Sequence, residues 1–290
     1  MRRSLSVPAA GLLAGLWLAP AASAQLAYYS VIDGSQDGTP STATGTGLYV
    51  IDTAANTLDY TITFSGLTSA ETAAHFHGPA PPGTPAGIAF PLGTGSPKVG
   101  TWNYEEGREA DILAGLYYVN IHTMMFSGGE IRGQVVPVPI EYCFCPPGVD
   151  PCGNPDPGAG CANSTGSGAS IAVSGMPSVI LDTLTLTASP LPPGQFGIYF
   201  MGPNQIDLPF GDGRRCVGGQ VFRYAPINSG PGGTITIGPG IAALAMSRFP
   251  VAGHIAAGQQ WNFQCWYRDP SGPCGFAFNT STGIGVAFTP

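Results

Sequence analysis

Glycine and proline interrupt this chain too often for long helices: 43 glycines and 29 prolines stand among 290 residues, and each costs a helix interior about 1 to 3 kcal/mol. Disordered chains share that richness but lack apolar and aromatic residues. Here aromatics make up 10% and the hydrophobic set 43% of the chain, with many Val, Ile and Thr between the breakers. Short strands joined by tight turns satisfy both observations. The expected fold class is all-β: two antiparallel β-sandwich-like domains joined by a Cys/Pro-rich linker, after an N-terminal signal peptide.

The signal peptide is read from Arg2-Arg3, the apolar run Val7–Leu18 and the small-x-small site Ala22-Ser23-Ala24. That run is too short to span a bilayer, and no later stretch is long enough. Residues 1–24 are thus assigned to export, 25–138 to a first domain, 139–163 to the linker and 164–290 to a second domain. The chain is expected to be secreted, periplasmic or at the cell surface. Losing Arg2 and Arg3 moves the formal charge from −7 to −9. So acidic a chain has no basic patch to neutralise phosphates, which argues against nucleic acid as a partner. All seven cysteines (Cys143, Cys145, Cys152, Cys161, Cys216, Cys265 and Cys274) lie at or beyond position 143. In an exported protein they are disulfide candidates with one left over, and their spacing does not give the connectivity. CxC followed by wide gaps is a poor zinc spacing.

Strands are expected at Leu26–Ile32, Gly47–Ile51, Thr57–Phe64, Ala73–His77, Ile88–Leu92, Val99–Tyr104, Gly115–Thr123 and Gly129–Val136, with one helical turn at Glu105–Ala114. In the second half the expected strands are Val179–Thr187, Phe196–Met201, Gly219–Tyr224, Thr234–Ile237, Gln259–Arg268 and Gly283–Phe288. Trp261, Phe263, Cys265 and Tyr267 share one face of the fifth, as a core seam beside a disulfide would. Asp33-Gly34-Ser35-Gln36-Asp37-Gly38 spaces its side chains like a calcium loop but lacks the bidentate Glu, and reads as a plain turn.

Three of the four histidines fall in Ala74-His75-Phe76-His77-Gly78-Pro79-Ala80 and Asn120-Ile121-His122-Thr123. Residues two apart on a strand share a face. If Phe76, Val119, Ile121, Ile131 and Val135 face the core, then His75, His77, Asn120, His122, Glu130, Arg132 and Gln134 gather on the other side. His75, His77 and His122 become candidate ligands of a single copper or zinc ion. Glu130 is the candidate fourth ligand or an orienting group, and Asn120, Arg132 and Gln134 would orient the ligands. Met124 or Met125 could add a thioether favouring Cu(I). The competing reading is a metal-free hydrogen-bonded ladder.

These pieces, with Gly45-Thr46-Gly47, Phe64-Ser65-Gly66-Leu67, Gly115-Leu116-Tyr117-Tyr118 and Gly129-Glu130-Ile131-Arg132-Gly133-Gln134, resemble the CHRD domain, the module named after chordin. The resemblance implies an all-β extracellular module and assigns no activity. Ser127 departs from the family's usual proline. The second half resembles an uncharacterised Gly/Pro-rich module of exported bacterial proteins. The function expected is an extracellular binding module with a three-histidine metal site. A copper-dependent redox enzyme at the same site is the alternative, although no catalytic pocket is legible. A metal-free adhesive or matrix protein is the other, its partner an extracellular protein or a glycan stacked on Trp102, Tyr104, Tyr118 or Trp266.

Overall fold

The computed structural model describes residues 25–290; the signal-peptide assignment lies outside them. The first module contains β1 (Gln25–Asp33), β2 (Thr44–Asp52), β3 (Thr57–Ser65), β4 (Glu71–His77), β5 (Ile88–Leu92), β6 (Lys98–Asn103), β7 (Tyr118–Thr123), β8 (Ile131–Gln134) and β9 (Val136–Pro137). They pair in the order β5-β4-β7-β8-β1-β2-β3-β6, with β9 also on β1. Ladder pairing between β8 and β1 is limited to Asp33 opposite Arg132, after which Val135 turns inward and β9 pairs with Tyr28 and Tyr29. The sheet therefore bends sharply at that seam and folds onto itself. Phe76 of β4 meets Tyr49 of β2 edge-on at 5.9 Å and stacks on Trp102 of β6 at 5.6 Å. Those contacts cross the sandwich.

The expected alternation holds. Leu58 and Ile62 of β3 are fully buried, with Tyr60 and Phe64 packed at the core's edge. Phe76, Val119, Ile121, Ile131 and Val135 all lie in the core. The helical turn is α1 (Glu109–Leu113), anchored by the buried Ile112. Trp102, Tyr104 and Tyr118 are buried rather than exposed, so they offer no stacking surface for a glycan. Trp266, half-buried, lines a pocket of about 190 Å³ with Phe200, Phe210, Arg215 and Arg223.

The second module contains β10 (Ile140–Tyr142), β11 (Ser170–Ser174), β12 (Thr185–Ser189), β13 (Phe196–Gly202), β14 (Asn204–Phe210), β15 (Gly213–Gly218), β16 (Phe222–Arg223), β17 (Ile227–Asn228), β18 (Ile235–Ile237), α2 (Ile241–Arg248), β19 (Gln260–Arg268) and β20 (Phe278–Ala287). One sheet runs β10-β20-β19-β13-β16 with β17 on β13; a second is β11-β12-β18; β14 and β15 form a hairpin. Leu186, Ile235, Tyr199, Phe263 and Tyr267 fill the core with α2's Ile241 and Ala245.

Several expectations are corrected here. The Cys/Pro-rich segment 139–163 is anchored to the second module: β10 pairs with the final strand (Ile140 opposite Gly285) and its cysteines tie it down. Disulfides join Cys143 to Cys216, Cys145 to Cys161 and Cys152 to Cys274. Cys265 is the free cysteine, so the seam of β19 has no disulfide beside it; burial pushes its thiol far up. The expected strand at Val179–Thr187 begins only at Thr185, and Gly219–Tyr224 shrinks to Phe222–Arg223. The hairpin β14–β15 and helix α2 were not expected.

Candidate metal centre

Strand register creates the site. His75 stands opposite Asn120 and His122 opposite Ala73 across the β4–β7 ladder, so His75, His77 and His122 come from one face of two adjacent strands. Their ring centroids lie 5.4 Å (His75–His77), 5.1 Å (His75–His122) and 5.6 Å (His77–His122) apart. One ring nitrogen of each lies within 4.8 Å of the other two. That limit is slightly wider than an ion with bonds of about 2.1 Å spans, so small ring rotations would complete the contact.

Hydrogen bonds fix which nitrogens are free. His77 Nδ1 lies 3.0 Å from the Ala86 carbonyl and His122 Nδ1 lies 3.0 Å from that of Ser127. A carbonyl only accepts, so both Nδ1 atoms carry hydrogen and the neutral rings keep lone pairs on Nε2. His77 Nε2, His122 Nε2 and His75 Nδ1 are buried without any partner. Burial, and then the neighbouring His122 and His77, push the His75 pKa down. His77 is also lowered, chiefly by burial, although its bond to Ala86 opposes the shift. Three imidazoles clustered with unpartnered buried nitrogens, two of them fixed as acceptors when the ring is neutral, suit a cation.

The surrounding residues hold that geometry. Arg132, 3.4 Å above the Tyr118 ring, donates to the Thr84 carbonyl at 3.0 Å, the Pro81 carbonyl at 3.2 Å and Gln134 Oε1 at 3.3 Å. Gln134 Nε2 donates to the Ala80 and Gly115 carbonyls at 2.8 and 2.9 Å. The Tyr118 hydroxyl accepts from the Ala86 amide at 2.9 Å, and its ring stacks on His77 at 5.2 Å. Arg132, Gln134 and Tyr118 thus brace the loop whose Ala86 carbonyl orients His77. Asn120 donates to the Gly128 carbonyl at 3.2 Å in the hairpin that supplies Ser127.

Glu130 does not join the histidines. Its Oε1 accepts from Ser41 Oγ and the Thr68 amide, both at 2.7 Å, and its Oε2 from Thr123 Oγ1 at 2.7 Å and Thr68 Oγ1 at 3.0 Å. Burial alone would raise its pKa, but those bonds outweigh it and hold the carboxyl below the usual range. Alternation does not carry Glu130 to the histidines, because it precedes β8 and follows Gly129, whose φ of 132° redirects the chain. Met124 and Met125 are 75% and 68% exposed on the hairpin.

Asp37 is the residue the sequence concealed. It ends the turn after β1, where Asp33 accepts from Ser35 Oγ at 2.5 Å and the Gln36 amide at 3.1 Å. Burial raises the Asp37 carboxyl, while Arg132, Asn120, His122 and His77 pull it back. A Cβ on Gly129 would come within 1.9 Å of its Oδ2 and 2.3 Å of the Asn120 amide. Only glycine leaves room for this carboxylate beside the histidine face. The signal available in sequence was Asp37 alone, in a stretch that explains itself as a turn.

Residues 28–135 match the CHRD domain. The match covers the first module, including the three histidines and their braces. No curated protein and no solved structure matches the chain. Among the described residues no helix is long and apolar enough to cross a membrane.

Proposed function

We propose that the protein is an exported binding module whose CHRD domain takes up one copper or zinc ion on His75, His77 and His122. The observation carrying this reading is the trio of buried nitrogens without hydrogen-bond partners, two of them fixed as lone-pair donors by Ala86 and Ser127. A metal-free ladder would have paired those atoms, since buried polar groups are ordinarily satisfied. Export is supported by the three disulfides, which persist in oxidising compartments.

The donor set is three imidazoles with no thiolate, which suits Zn(II) and Cu(II) alike. Glu130 is committed elsewhere, so the remaining coordination positions are left to water or to a partner's side chain. His75 and His122 keep partial exposure at the rim, giving such a ligand its approach.

The test is metal content of tag-free protein after dialysis against zinc or copper. One ion per chain is expected, with the ion lost in the His75→Ala/His77→Ala variant at unchanged circular dichroism. A metal-free wild type, or full occupancy in that variant, would reject the reading. Turnover of a redox substrate by the copper-loaded protein, abolished in His122→Ala, would extend the reading to an enzyme.

A further inference from the structure

The second module buries two carboxylates with no cationic side chain beside them. Asp212 occupies the turn between β14 and β15, Asp269 follows β19, and both are 0% exposed. The ion pairs found among the described residues join Lys98 to Glu71, Arg108 to Glu105 and Arg214 to Asp207; none reaches either carboxylate. Asp212 Oδ2 and Asp269 Oδ1 have no hydrogen-bond partner. Both carboxylates converge on one glycine: a Cβ on Gly272 would stand 2.0 Å from Asp212 Oδ2 and 3.0 Å from Asp269 Oδ2.

A third, uncharged oxygen has the same orphaned state. Asn154 is 7% exposed and its Oδ1 has no partner. Its Nδ2 donates to the Asp212 carbonyl at 2.9 Å and the Ala162 carbonyl at 2.7 Å, so the amide is pinned against Asp212. Two buried like charges are costly unless a proton or a cation joins them. Burial raises the Asp212 carboxyl and Asp269 adds to it, although the Phe276 amide, donating to Oδ1 at 3.4 Å, and the Cys274 amide oppose the shift. The donors are all hard oxygens. Cys152 and Cys274, which flank Asp212, are bonded to each other and supply no thiolate.

We propose that Asp212, Asp269 and Asn154 hold a calcium ion that locks the 152–164 segment, the hairpin turn and the 269–277 loop together. Calcium accepts carboxylate, amide and carbonyl oxygens in irregular number, whereas magnesium demands octahedral geometry and keeps its water. Asn154 brings the first of those segments, Asp212 the second and Asp269 the third, with the Ser164 amide donating to Asp269 Oδ2 at 2.9 Å. The ion would act across the same elements as the Cys152–Cys274 disulfide.

The full chain, stripped with EGTA, is melted with and without about 5 mM CaCl₂, above the ~10⁻⁴–10⁻³ M affinities of extracellular calcium modules. Calcium is expected to raise the Tm of the second module by about 5 °C. Terbium in its place should luminesce when the nearby Tyr267 is excited, and calcium should quench that signal. Asp212→Asn and Asp269→Asn, which keep size and shape, should each abolish both responses, while His75→Ala/His77→Ala keeps them. A wild type that ignores calcium and terbium, with Asp212→Asn raising the Tm in EGTA, would show a proton-sharing pair and overturn the proposal. Responses surviving both Asn variants, or lost with the histidines, would overturn it equally.

Discussion

The first module closes its core with stacked aromatic rings around Phe76 and contains no cysteine, whereas the second is tied by three disulfides and buries a layer of polar side chains. In the first, the outward face of β4 and β7 is polar because it builds a site. In the second, the polar faces of β19 and β20 are covered: Gln264 Oε1 accepts from the Cys216 amide at 2.9 Å and its Nε2 donates to the Arg214 carbonyl at 2.8 Å, fastening the hairpin over the sheet. A polar strand face thus has two uses. It either collects ligands or receives another layer through hydrogen bonds, and in the latter case the staples hold what apolar area cannot.

That contrast is open to attack by reduction. Dithiothreitol should cost the second module about 2–5 kcal/mol for each disulfide opened and leave the first folded, as read by hydrogen exchange module by module. Equal loss of protection in both would break the comparison. Next in size, Phe76→Ala should destabilise the first module by about 3–5 kcal/mol, a loss seen as a lower denaturation midpoint with the second module's transition unmoved.

A smaller effect concerns Glu130. Its folded pKa lies below the unfolded value of about 4.3, so its stabilisation is complete above that pH and disappears as pH falls through the folded value. Glu130→Gln should lower first-module stability at pH 7 and flatten its dependence on acid, measured by urea melts between about pH 3 and 7. The least effect is expected from Arg132→Met: little loss of fold, but a loosened 80–86 loop and roughly 10-fold to 100-fold weaker metal binding, through His77.

Much of the first module is legible in its sequence because one rule, alternation, governs both its core and its site. Leu58, Ile62, Phe76, Val119 and Ile121 turn inward as their spacing demands, and the three histidines turn outward with them. The rule stops where the chain bends. Glu130 sits beyond Gly129 and is drawn to Ser41, Thr68 and Thr123; Asp37 arrives from a turn distant in sequence. The second module is less legible for the same reason. Helix α2 has its first amides capped by Asp182, which accepts from Ala242 and Ala243 at 2.9 Å each, so no local capping residue marks its start. The hairpin over β19 answers to Gln264 rather than to any apolar pattern. Cys265, read as a disulfide candidate from the cysteine count, belongs by its burial to the core.

Nitrogen-15 NMR of the imidazoles during zinc titration tests the three-histidine site most directly. Apo His77 and His122 are expected as the Nδ1–H tautomers, with saturation at one zinc and shifts at His77 Nε2, His122 Nε2 and His75 Nδ1 while His254 stays still. Unmoved resonances at these three nitrogens, or the opposite tautomer at His77 and His122, would contradict the three-histidine site.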